Sequence, residues 1–211
     1  ATAVDNIARW DGTQWSGLGP GLTIQNHPAA VEALQVLGNG HLVAGGSFAA
    51  AGTVAVACVA EWDGTAWSPL GTGLSLATDL DRLPNGDLVA AGFGASHWNG
   101  TTWTNLSPQT GLLRCVTTLA NGDLVVGGEF TYLGSLPAYN LGRCTGSIWS
   151  AMVSAVLPFV PPVQPLLAVD DDLVAANFSV SPPRLSRGDG SAWTALTTNL
   201  PSTFSYLPRL A

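Results

Sequence analysis

The spacing of tryptophan constrains this chain more than any other feature. Trp15, Trp67, Trp103, Trp149 and Trp193 recur at separations of 52, 36, 46 and 44 residues, and Trp10, Trp62 and Trp98 each stand five positions before one of them. All eight tryptophans of the chain therefore belong to one pattern. A single-domain core scatters its aromatic residues, whereas recurrence at this interval is the mark of a repeat architecture. The motif reads Trp-Asp-Gly-Thr-X-Trp-Ser at residues 10–16 and 62–68, and Trp-Asn-Gly-Thr-Thr-Trp-Thr at 98–104. Cys144 and Gly188 stand at the first tryptophan's place in the last two copies.

A second signature accompanies the first. Leu37-Gly-Asn-Gly-His-Leu-Val-Ala-Gly-Gly, Leu83-Pro-Asn-Gly-Asp-Leu-Val-Ala-Ala-Gly, Leu119-Ala-Asn-Gly-Asp-Leu-Val-Val-Gly-Gly and Val169-Asp-Asp-Asp-Leu-Val-Ala-Ala-Asn are versions of one hairpin. Asn-Gly and Asp-Gly between apolar runs are hairpin signals, because these residues tolerate the positive φ of tight turns. Each repeat has two such turns and hence four strands, a to d. In the first full repeat these fall at Val31 to Leu37, His41 to Gly45, Val56 to Trp62 and Ala66 to Leu70.

Short strands at regular spacing, with no helical periodicity, predict an all-β fold. Four-stranded units that cannot bury their own faces must stack on one another, and radial stacking gives a β-propeller of four-stranded antiparallel blades. The tryptophans are then expected on outer strands, packed between repeats. The blades are expected at 19–70, 71–106, 107–153 and 154–197, within one domain of 1–211. Residues 1–18 supply strands c and d of a further blade, and 198–211 its strand a, which makes five blades with the last shared and incomplete. A segment of a longer chain, or another copy completing the ring, is the alternative expectation.

A strand ending in Gly-Gly, a variable loop, an aromatic-Asp turn and a tryptophan soon after resemble the kelch type of propeller repeat. They also resemble the Trp-Asp-Gly repeats of large secreted bacterial proteins. The resemblance implies the propeller fold and leaves function open, because such propellers include enzymes, lectin-like binders and interaction platforms. The glycine pair is complete only at 45–46 and 127–128, becoming Ala91-Gly92 and Ala176-Asn177 elsewhere.

Composition excludes several functions. The chain has no lysine, and seven arginines face fourteen acids for a formal net charge of −7. Nucleic acids and anionic membrane surfaces require a basic footprint, so neither is expected as a partner. The most apolar segment, 151–169, carries four prolines and a glutamine, so no membrane insertion is expected. The lysine-free, Gly/Ala/Thr-rich composition points to an extracellular or cell-surface protein of bacterial type. Cys58, Cys115 and Cys144 lack close Cys or His neighbours, which suggests buried free thiols and no zinc site.

Strand parity converts loop lengths into a candidate site. The short a-to-b and c-to-d turns emerge at one end of each sheet, and the variable b-to-c and d-to-a connections at the other. Variable loops on a rigid scaffold are where binding usually resides. The aromatic and polar candidates there are His27, Phe48, Glu129, Tyr132, Tyr139 and Phe178. His41 replaces Asp87 and Asp123 in a tight turn and is expected to be solvated. His97 lies beside Trp98. The three histidines stand in separate repeats and leave no pair at metal spacing. Asp170-Asp171-Asp172 aligns with the hairpin turn and is expected to be a turn former rather than a calcium site. No nucleophile elbow or phosphate loop occurs, and no cofactor is implied.

These observations point to a non-catalytic binding or interaction module that holds a glycan or protein on its variable loops. A carbohydrate-active hydrolase or lyase using Asp79, Asp81 and Glu129 is the rival from another class. An architectural segment of a larger surface protein is the third.

Overall fold

The structure is a computed structural model that describes residues 6–24, 27–72, 74–107, 111–152, 166–169, 172–177, 184–189 and 192–197. The described residues are all-β, in strands, turns and loops, with no helix among them. They group into two compact units, Ala1–Gly92 with Ser96–Thr104, and Phe93–Ala95 with Asn105–Ala211.

The first unit opens on a hairpin of β1 (Ala8–Trp10) and β2 (Trp15–Gly17). There follow β3 (Leu22–Ile24), β4 (His27–Pro28), β5 (Ala30–Val36), β6 (Leu42–Ser47), β7 (Ala50–Ala51), β8 (Val54–Ala55), β9 (Val59–Trp62) and β10 (Trp67–Pro69). Strands β5, β6, β9 and β10 form one antiparallel sheet in that order. A second is built from β11 (Asp79–Arg82), β12 (Leu88–Ala91), β13 (Ser96–Trp98) and β14 (Trp103–Asn105). The two sheets share a core of Ala33, Val43, Val59, Leu70, Ala77, Leu80, Leu88 and Ala90, completed by Trp98 and Trp103. Strands β3, β4, β7 and β8 form a small additional sheet from the variable connections alone.

The second unit contains β15 (Gly111–Thr118), β16 (Leu124–Phe130), β17 (Tyr132–Leu133), β18 (Leu136–Pro137), β19 (Leu141–Thr145) and β20 (Ile148–Ala151). It continues with β21 (Leu166–Val169), β22 (Asp172–Asn177), β23 (Arg184–Gly188) and β24 (Trp193–Thr197). Its main sheets run β15-β16-β19-β20 and β21-β22-β23-β24, and β17 with β18 forms a separate hairpin. Cys115, Val125, Leu141, Met152, Leu166, Leu173 and Trp193 pack between the two main sheets.

Register ties the decayed copies to the intact ones. Trp10 pairs with Trp15 and Trp67 with Trp62, while Cys144 pairs with Trp149 and Gly188 with Trp193. The turn between these positions is held by one side-chain oxygen. Asp63 Oδ1 accepts from the Thr65 amide, the Thr65 hydroxyl and the Ala66 amide at 2.7, 2.8 and 2.8 Å. Asp11 and Asn99 repeat the arrangement. The glycine after each adopts φ of 101°, 102° and 95° at Gly12, Gly64 and Gly100, where a β-carbon would be strained.

The expected tryptophan packing takes a specific form. Trp67 Nε1 donates to the Leu18 carbonyl at 2.8 Å, Trp103 Nε1 to Leu70 at 2.7 Å, and Trp149 Nε1 to Leu106 at 2.9 Å. Each acceptor lies three residues after the tryptophan of the preceding repeat. A buried indole N–H needs a partner, and the repeat supplies it from its neighbour. Gly19 and Gly71, one residue further on, lie beneath the ring pairs Trp62/Trp67 and Trp98/Trp103. Trp15 departs from the expectation. It is 66% exposed and Trp10 is 49% exposed.

Candidate functional site

At the short-turn end, the residue two before each register partner on strand b meets the residue just before the first tryptophan position. His41 Nδ1 lies 2.6 Å from Glu61 Oε1, and Asp87 Oδ2 lies 2.9 Å from His97 Nε2. Arg143 reaches Asp123 at 2.6 Å and Arg187 reaches Asp172 at 2.8 Å. His41 is thus a half-buried partner of Glu61 rather than the solvated turn residue expected. Asp172 opens strand β22 and is paired with Arg187, and Asp170 and Asp171, the rest of the expected turn, lie outside the described residues. Burial opposes ionisation of Asp123, but hydrogen bonds from Arg143, Thr145 and Asn121 outweigh it and hold the carboxyl below its usual range. The hydrogen bond from His97 does the same for Asp87. Four cross-strand pairs at one repeat position, two histidine–carboxylate and two arginine–carboxylate, with the chemistry exchanged between partners, serve the scaffold.

The other end is built differently. In the first and third full repeats the b-to-c connection leaves the sheet as a miniature hairpin on the same backbone plan. Gly46 N donates to Cys58 O and Gly128 N to Asn140 O. Cys58 N donates to Phe48 O and Asn140 N to Phe130 O, and the Val56-to-Ala49 bond is matched by Ala138 to Thr131. Gly52 and Gly134 turn the hairpins at φ of 61° and 63°, and Cys58 and Asn140 close them at 63° and 64°. Asn140 fits that conformation because its Oδ1 accepts the Phe130 amide at 3.0 Å. Cys58 stands there as a free thiol, and burial pushes its pKa up.

The same plan explains why one expected site residue is no site. Phe48 is 1% exposed and packs with Ile7, Leu18, Leu22, Ala44 and Trp67. Phe130, its counterpart, is 3% exposed. Both rings anchor their hairpins, and an aromatic residue just after the glycine pair is placed inward by strand alternation.

What differs is the decoration. Where the first repeat has Ser47, Ala50 and Ala57, the third has Glu129, Tyr132 and Tyr139. Tyr132 and Tyr139 are 53% and 61% exposed. Glu129 Oε1 accepts from Arg114 Nε at 2.9 Å and Nη2 at 2.7 Å. Arg114 itself escaped the sequence reading. It is the extra residue of a β-bulge between Leu113 and Cys115, and the signal for that bulge is the glycine pair opposite. A β-carbon on Gly128 would meet the Leu112 carbonyl, as on Gly46 it would meet Ala30 and on Gly92 Leu76. Phe93, 60% exposed, tips the short connection of the second repeat and was also missed. The side chain of His27, in β4, and all of Phe178 lie outside the described residues. Asp79 is buried, with its Oδ1 accepting the Leu80 amide at 2.9 Å, and Asp81 is half-buried. Among the described residues, no three His, Cys, Asp or Glu side chains group as metal ligands.

No protein-family model matches the chain, and no curated protein is significantly similar to it. Solved structures do resemble it. A structure described as YCF48 bound to D1 peptide matches with a TM-score of 0.55 and 17% identity, over 87% of this chain and 57% of that one. Virginiamycin B lyase from Staphylococcus aureus matches with a TM-score of 0.50 and 14% identity, over 86% of this chain and 74% of that one. Both are propeller-like proteins, and with the repeated four-stranded antiparallel sheets they define the fold as a β-propeller. The chain spans 57% of the length of the YCF48 chain it matches. At these identities the likeness concerns fold alone.

Proposed function

We propose that this chain is a non-catalytic, extracellular or cell-surface binding module. Its contact surface is the b-to-c hairpin of the third repeat, with Tyr132, Tyr139 and the Arg114–Glu129 pair. One observation carries the proposal: two hairpins share every defining backbone hydrogen bond, yet only one bears exposed tyrosines and a charge pair. A scaffold kept and a surface changed is the pattern of recognition loops. Exposed tyrosine supplies large contact area at low entropic cost, and an arginine–carboxylate pair at its edge orients polar groups. The partner is a protein surface or a glycan. That a propeller neighbour is described as bound to a peptide supports the protein alternative.

Acid–base hydrolysis is less well supported by the same geometry. Asp79 is buried and engaged, and Glu129 is held by Arg114, so both carboxylates are occupied by neighbours in the scaffold.

The test compares the parent chain with Tyr132→Ala/Tyr139→Ala on a glycan array and in cross-linking capture from native extract. The expected outcome is a ligand bound by the parent and weakened at least tenfold in the variant, with unchanged circular dichroism. Equal binding by both would remove the site, and blank results in both assays would remove the function.

A further inference from the structure

We propose that the open edge of β17 takes up an extended segment of a partner protein as a third, antiparallel strand beside Tyr132. This rests on the reading of the third-repeat hairpin as the contact surface, and narrows its partner to a peptide backbone in extended form. The first repeat shows what such an edge accepts, because its own hairpin already carries the added strand.

There β3 lies antiparallel on β7, with Leu22 opposite Ala51 and Thr23 opposite Ala50. The flanking amides complete the pairing: Ala49 N donates to Thr23 O and Gly52 N to Gly21 O, both at 2.9 Å. Thr131, Tyr132, Leu133 and Gly134 occupy the places of Ala49, Ala50, Ala51 and Gly52, as the matching bonds of Val56 to Ala49 and Ala138 to Thr131 fix. Among the described residues, however, β17 pairs with β18 alone, and no carbonyl accepts from the Thr131 or Gly134 amide. The cause is the length of the connection that precedes each hairpin. Counted from the acceptor leucines Leu18 and Leu106, the fifth residue is Thr23 on β3 in the first repeat. In the third it is Gly111, already paired with Phe130 in β15. The third repeat has given up its own added strand, and Thr131 and Tyr132 stand exposed on the edge that strand would line.

Unpaired strand edges bind extended chains through main-chain hydrogen bonds, and alternate side chains set the selectivity. The hairpin's core needs nothing from the partner, because Phe130 and Leu133 are 3% and 2% exposed without it. Recognition therefore falls to the two amides and to Tyr132, which a partner residue faces at the place of Thr23. Aromatic rings across a strand pair favour β-branched and aromatic neighbours, so that partner residue is Val, Ile, Thr or an aromatic one.

A phage-displayed library of random peptides selected against the intact chain tests this, with amide exchange followed by nuclear magnetic resonance on the synthesised binders. The peptides are expected to share a β-branched or aromatic residue at one position. Their binding should slow exchange of the Thr131 and Gly134 amides about tenfold or more, as one added hydrogen bond at each predicts. Peptides that leave both amides unchanged, yet no longer bind Tyr132→Ala/Tyr139→Ala, would overturn strand addition and leave the hairpin surface standing. Amides already protected in the free chain would show the edge covered by the chain itself, and would overturn the proposal as well. So would a library that yields no binder. The hairpin reading itself falls only if peptides and glycans alike bind parent and variant equally, or bind neither.

Discussion

A single oxygen atom shows how far one residue governs the repeat. Asp63 carries its charge fully in solvent, yet its carboxyl is lowered to about 2. The Ala66 amide contributes most, followed by the Thr65 amide and hydroxyl. Asp11, held by the Gln14 amide and Thr13, is also lowered to about 2. Since the unfolded value is about 3.9, ionised Asp63 stabilises the fold above roughly pH 4, and that contribution is lost as pH falls toward 2. Asn99 makes the same three hydrogen bonds without a charge, so Asp63→Asn should keep the turn. Urea unfolding at intervals from pH 7 to pH 2 should show the variant slightly less stable at neutral pH and losing less than the parent below pH 4. Parallel curves for the two proteins would mean that the carboxylate contributes nothing to the turn.

Among elements, the strand pairing was legible and the side-chain pairing was not. Asn-Gly and Asp-Gly located the turns, and apolar alternation located strands a and b, because both signals are local and survive repeat decay. The cross-strand side-chain pairs were hidden because their members exchange chemistry between strands. His41 looked like a replaced turn aspartate until Glu61 appeared opposite it, while Asp87 faces His97 and Asp123 faces Arg143. Phe48 was misplaced for a related reason. Its loop position suggested exposure, whereas the hairpin continues the strand's alternation and turns the ring into the core. The bulge at Arg114 was legible only indirectly, through Gly128. Gly128→Ala places a β-carbon against the Leu112 carbonyl and Leu113 backbone. The expected cost is about 1 to 3 kcal/mol, the usual range for overpacking. Denaturant midpoints should register this loss, and the Arg114–Glu129 pair should be displaced with the bulge. A neutral Gly128→Ala would mean that the opposing strand yields without strain.

At the scale of the whole chain, Trp67, Trp103 and Trp149 each tie their repeat to a carbonyl of the one before it, which makes stability a property of neighbours. In such quasi-one-dimensional arrays the energy resides in adjacent interfaces. Trp67 is 5% exposed and Trp15 is 66% exposed, so equal chemistry at the two positions should have unequal effects. Trp67→Ala removes a buried aromatic ring and should cost about 3 to 5 kcal/mol, while Trp15→Ala should leave stability nearly unchanged. The damage should also be local. Trp67→Ala strips the Leu18 carbonyl of its donor and uncovers Gly19, so hydrogen exchange should quicken along β1 and β2 as well as around β9 and β10. Trp149→Ala should act in the same way on Leu106 and on β19 and β20, and leave β1 and β2 as they were. Exchange measured by mass spectrometry on both variants separates the alternatives. Uniform loss of protection across every repeat in either variant would show that the chain opens as one cooperative body, and that the tryptophan contacts do not partition its stability.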